Sequence, residues 1–77
     1  MQKREEQYKM IGLNIAYYRK LKGLSQIRLA ESVGLSRTHI SNIEAPNMPT
    51  AISLDALLDI AEVLEIPARK LLDFHEI

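Results

Sequence analysis

The sequence predicts a single all-α domain, and three observations carry that reading. Apolar residues recur at intervals of three and four: Tyr8, Ile11, Ile15 and Tyr18, then Leu29, Ala30 and Val33, then Ile40 and Ile43, then Leu54, Leu57, Leu58, Ala61 and Leu64. That is the period of helices with one face turned inward. A serine stands immediately ahead of three of these runs, at Ser25, Ser36 and Ser53, where a hydroxyl can accept from the unpaired amides of a first helical turn. No segment alternates apolar and polar residues as a half-buried strand does, and clusters of β-branched residues are absent.

Five short helices follow in order. The first spans Tyr8 to Leu21 and ends at Gly23, behind a basic last turn that includes Lys20 and Lys22. Residues 1–7 are open to two readings, a flexible arm or an extension of this helix. Ser25 starts the second helix, with Leu29, Ala30 and Val33 inward, and Gly34 ends it. Leu35 fills the turn and Ser36 restarts the chain as a third helix, with Ser36, Ile40 and Ile43 inward. The stretch APNMPTAIS holds Pro46 and Pro49 and reads as a loop. Ser53 then caps a fourth helix with Leu54, Leu57, Leu58, Ala61 and Leu64 inward, and Asp55 in its first turn suits the helix dipole. Pro67 opens a fifth helix, Ala68 to Asp73, with Leu71 and Leu72 as its apolar residues. Residues 1–77 form one domain, with 67–77 as its tail.

The chain has 77 residues and no cysteine, which excludes disulfides, thiolate metal sites and thiol catalysis together. Its start, MQKREEQYK, is charged, and no apolar run approaches the roughly 20 residues of a membrane span. The expectation is a cytoplasmic protein with no membrane partner. The net charge is zero but unevenly spread: residues 1–44 hold eight Lys and Arg against four Glu, and residues 45–77 hold two against six Asp and Glu. A polyanion-facing half and an acidic half would look like this. No nucleophile elbow, phosphate-cradling glycine loop or paired metal ligands accompany the scattered Ser, His and Asp. His39 has only His75, in the tail, as a fellow histidine and no carboxylate cluster beside it, so no metal is expected; five short helices offer little pocket, so no cofactor or small-molecule ligand is expected either.

The break at Gly34-Leu35-Ser36 is too short for a linker and too decisive for a continuous helix. It makes residues 25–44 a helix-turn-helix, in which one helix can brace against a DNA backbone while the next lies in the major groove. Three segments in this order, IGLNIAYYRKLKGLSQ, LAESVGLSRTHISNIE and SLDALLDIAEVLEIP, resemble the Cro/CI-type (XRE, lambda-repressor-like) helix-turn-helix family from about Ile11 to Leu72.

The resemblance implies a five-helix DNA-binding domain and a sequence-specific transcriptional regulator, a repressor, dimeric on near-palindromic double-stranded DNA. It places base contacts on the outward side of the third helix, at Arg37, Thr38, Ser41 and Asn42. Arg37 suits guanine O6 and N7, Asn42 suits adenine N6 and N7, and the Thr38 methyl suits thymine; Arg37 could equally hold a phosphate. Phosphate contacts fall to Ser25, Gln26, His39 and Asn47. Arg19 and Glu44 match a pair that joins the first helix to the recognition helix in the family. The homodimer surface is expected to include Leu71, Phe74 and Ile77.

The chain departs from the family after Glu44. Ala45-Pro46-Asn47-Met48 carries no glycine or basic residue, and Arg37 is the only Lys or Arg from Gly34 to Pro67. Asn47, Thr50, Ser53 and backbone amides would have to substitute, which predicts weak nonspecific binding and a shallow salt dependence. A second class of function fits the same residues: a protein-interaction module, an antitoxin or anti-repressor partner, that keeps the fold and uses its acidic fourth and fifth helices.

Overall fold

A computed structural model describes residues 2–74. It is all-helical: α1 (Gln2–Lys22), α2 (Gln26–Val33), α3 (Arg37–Glu44), α4 (Leu54–Leu64) and a short 3₁₀ helix (Ala68–Leu72). No helix among the described residues is long and apolar enough to cross a membrane.

The three serine caps form as their positions dictate. Ser25, Ser36 and Ser53 each accept from the backbone N–H three residues on, of Arg28 at 3.1 Å, His39 at 3.0 Å and Ala56 at 3.1 Å. Gly23 and Gly34 end α1 and α2 in the left-handed region, at φ 82° and 72°, where a side chain is costly. α4 ends on Glu65 in the same region, at φ 60°. Glu65 accepts an exposed ion-paired hydrogen bond from Lys22 Nζ, and that bond, reinforced by the lysine's charge, holds its carboxyl below the usual range. The lowered value means this contribution is present above the ordinary carboxylate pKa and fades as the pH falls through the folded-state value.

Each element sends one wholly buried side chain to the centre: Ile15, Leu29, Ile40, Ile60 and Leu71. Burying a side chain of this size stabilises by about 1.5–3 kcal/mol, so the small domain depends on all five elements meeting. Asn14 ties the last of them down, its Nδ2 donating to the carbonyls of Leu71 and Asp73, both at 3.1 Å.

Several expectations change. α1 starts at Gln2 rather than Tyr8, so the extension, not the arm, describes residues 2–7. The fifth element is a 3₁₀ helix of five residues, which leaves four α-helices rather than five. Its tighter turn sends Leu71 to the centre and leaves Leu72 exposed. Leu71 therefore leaves the dimer surface; Phe74 is exposed, and Ile77 and His75 lie outside the described residues. On α4, Leu57, Ala61 and Leu64 face inward as expected and are joined by Ile60, while Leu54 and Leu58 face solvent at 67% and 47% exposure. Ser36 is exposed, because its side chain turns back to cap α3 instead of pointing inward.

Candidate nucleic-acid interface

α3 is fixed from below by a buried polar network. Arg19 on α1 donates to Glu44 at both ends of its guanidinium fork, Nε to Oε2 at 2.7 Å and Nη2 to Oε1 at 2.9 Å. Its Nη1 donates to the Leu24 carbonyl at 2.7 Å in the turn before α2. Gln26 Nε2, at the start of α2, donates to the same Glu44 Oε1 at 2.9 Å. One carboxylate on α3 thus collects α1 and α2, and the Arg19 guanidinium adds the α1–α2 turn. The side chains of Arg19 and Glu44 are only 9% and 5% exposed, so the pair lies where geometry, not screening by water, governs it.

Gly12 was not singled out by the sequence and proves decisive. A Cβ built on it would stand 2.0 Å from the Ile43 carbonyl oxygen and 3.3 Å from the Glu44 Cα. The two helix backbones touch at this point, and only a hydrogen fits between them. α1 thus sets the height of α3 at Gly12 and its register at Arg19.

On the opposite side of α3, Arg37 and Thr38 are exposed, and Ser41 and Asn42 are half-buried one turn on. Thr38, Ser41 and Asn42 share the outward face, with Arg37 on its flank in the first turn, while Ile40 and Ile43 are buried on the other side and Glu44 is buried at the helix end. His39 is half-buried on the flank.

At the start of α2, Ser25 Oγ is occupied as an acceptor, which leaves its own proton to donate. The N–H groups of Gln26 and Ile27 have no carbonyl a turn behind them within α2. Gln26 keeps a second amide N–H beyond the one given to Glu44. In the loop after α3, Thr50 Oγ1 donates to the carbonyls of Met48 at 2.8 Å and Asn42 at 3.2 Å, and Ser53 caps α4. The Thr50 hydroxyl is thus given to the loop's own shape, while Ser53, like Ser25, accepts through its oxygen and keeps its own proton to donate. Asn47 is exposed, and the extension of α1 brings Glu5, Glu6 and Lys9 beside it along a shallow cleft, a neighbourhood the sequence did not reveal.

A capped short helix, a glycine turn and a second capped helix, carrying an outward polar face over a buried ion pair, define a helix-turn-helix domain of the kind found in bacterial regulators. Residues 15–71 match the helix-turn-helix family HTH_3. The HTH-type transcriptional regulator SinR of Bacillus subtilis is 41% identical over 64 residues, which cover 83% of this chain and 57% of that protein. The chain therefore spans only a little over half the length of this relative. Among solved structures, SinR in complex with DNA, described as the master regulator for biofilm formation, is 40% identical with a TM-score of 0.75, covering 82% of this chain and 98% of that one. The restriction-modification controller protein C.AhdI from Aeromonas hydrophila is 33% identical with a TM-score of 0.76, covering 83% and 94%. The chain belongs to the Cro/CI-type (XRE) helix-turn-helix family.

Proposed function

We propose that the chain works as a sequence-specific transcriptional regulator, a repressor that occupies an operator in the cytoplasm as a homodimer. The observation that carries this is the framed face of α3: Arg37, Thr38, Ser41 and Asn42 stand together on a helix whose position is fixed by Gly12, Arg19 and Gln26. α3 lies in the major groove, Arg37 and Asn42 read base edges, and Thr38 and Ser41 allow close approach. Ser25, Gln26, His39 and Asn47 hold the flanking phosphates. Two copies present their α3 helices about 34 Å apart, one DNA turn, which makes the operator a near-palindrome. Few cations face the backbone, so affinity comes from base contacts and the second copy more than from counterion release.

The division of labour is testable on two variants. Asn42→Ala should lower operator affinity by about 1–3 kcal/mol, relax selectivity at one base position and leave random DNA unaffected. Asn47→Ala should weaken operator and random DNA by similar factors. Fluorescence anisotropy on both duplexes decides the matter, and an Asn42→Ala loss of equal size on the two would remove Asn42 from the base-reading set.

A further inference from the structure

α4 is apolar on its outer side as well as its inner one. Leu54 and Leu58, one turn apart, stand in solvent at 67% and 47% exposure. Along the same side run Asp55, Asp59 and Glu62, all exposed, at the three- and four-residue spacings that make neighbours on a helix. α4 contains no Lys or Arg. Among the described residues none of these three carboxylates is ion-paired; the ion pairs there join Arg19 to Glu44 and Lys22 to Glu65.

Local preference opposes this arrangement. Like charges at such spacings repel one another along a helix, and Glu62 stands in the last turn, where the dipole disfavours an anion. Only Asp55, in the first turn, is placed as the helix prefers. In a domain whose other helices follow the rules of capping and packing, a face that breaks them marks a place shaped by something outside the chain.

We infer that the outer face of α4 docks a basic amphipathic helix of a second protein, whose apolar residues cover Leu54 and Leu58 and whose Lys or Arg side chains meet Asp55, Asp59 and Glu62. An apolar seam flanked by opposite charges is how two helices select each other. Charge chooses this occupant: a phosphate backbone, or the α4 of another copy, would set negative charge against negative. α4 packs chiefly on α2, the 3₁₀ helix and α1, and α3 chiefly on α1 and α2. α1 and α2 therefore stand between the docking face and the helix proposed to enter DNA, so the chain can hold its operator and this partner together. The inference goes beyond operator binding and does not depend on it.

A displayed library of helical peptides, randomised over apolar, acidic and basic residues, tests this on the full chain without DNA, with the Leu54→Ser/Leu58→Ser chain as counter-selection. The pool should enrich peptides with apolar residues four apart beside Lys or Arg. Anisotropy of a labelled winner should show binding weakened about tenfold or more by Leu54→Ser/Leu58→Ser and by Asp59→Lys/Glu62→Lys, with circular dichroism confirming that both variants fold. The winner with its Lys and Arg exchanged for Glu should bind the Asp59→Lys/Glu62→Lys chain to within about threefold of the original pair, because the charges are exchanged rather than lost. Adding the selected operator duplex should leave the peptide bound. A pool that enriches nothing, winners that are acidic, or binding indifferent to the four substitutions would overturn the docking face, whatever the outcome of operator selection. If the same substitutions instead break a dimer of the free chain in sedimentation, the occupant is a second copy and the partner protein is overturned. Release of the peptide by the duplex would overturn joint binding.

Discussion

Gly12→Ala should destabilise the domain by about 3 kcal/mol or more, the reverse of what the same change does in an open helix. On an exposed helical surface, alanine is favoured over glycine by about 1 kcal/mol. Here the added methyl would meet the Ile43 carbonyl oxygen at 2.0 Å, and a backbone atom cannot swing aside as a side chain does. α1 and α3 must separate, opening the centre around Ile15 and Ile40, and close-packed interiors transmit such strain instead of absorbing it. A domain of 77 residues holds only about 4–12 kcal/mol in total, so the loss is a large share of it. Urea denaturation of both proteins measures it, and a Gly12→Ala variant as stable as the parent would mean the α1–α3 contact is looser than described. Because the same contact sets the height of α3, operator affinity should fall further than the folded fraction alone explains.

Removing Glu44 should cost a similar amount for an electrical reason. Glu44→Ala leaves the Arg19 guanidinium buried with only the Leu24 carbonyl, and strips Gln26 of its acceptor. Breaking one partner of a buried pair typically costs about 3–5 kcal/mol. Replacing both, as Arg19→Met/Glu44→Leu, should recover most of that stability, since two charges no longer have to be desolvated. The pair would then be seen to fix the orientation of α3 more than to supply net stability, and the double variant should fold well while binding DNA less selectively. A complete denaturant cycle of wild type, both single variants and the double variant measures the coupling. Single variants within about 1 kcal/mol of wild type, additive in combination, would show that the network is dispensable.

What the sequence made legible was local. Ser25, Ser36 and Ser53 announce their helices because a cap is a contact over three residues, and Gly34 announces its turn because the left-handed backbone asks for glycine at that residue. The Arg19–Glu44 pair was reachable through family resemblance, since nothing within α1 or α3 alone says that the two helices meet. Gly12 was invisible for that same reason: inside a helix it punctuates nothing, and its purpose is set by an approach from Ile43 far along the chain. Asn14, bonded to carbonyls 57 and 59 residues away, is hidden likewise. Leu71 goes to the centre and Leu72 to solvent because the last element turns with three residues, not 3.6, a choice that two adjacent leucines do not reveal. Leu58 and Ile60 exchanged places because α4 is apolar enough that two neighbouring faces compete, and only the packing of α2 and α1 chooses. The sequence leaves residues 2–7 open between an arm and a helix because they carry no apolar period; they extend α1 through the good propensity of Gln, Lys, Arg and Glu.

The central claim is that α3 reads a particular DNA sequence, and selection from a randomised duplex pool tests it most directly, followed by anisotropy titration of the enriched duplex and a scrambled one at two salt concentrations. The account predicts a near-palindrome with half-sites about one helical turn apart, bound far more tightly than scrambled DNA, with a shallow dependence on salt. A pool that enriches nothing, with equally weak binding to both duplexes at low salt, would contradict it and turn attention to the acidic face of α4 and a protein partner.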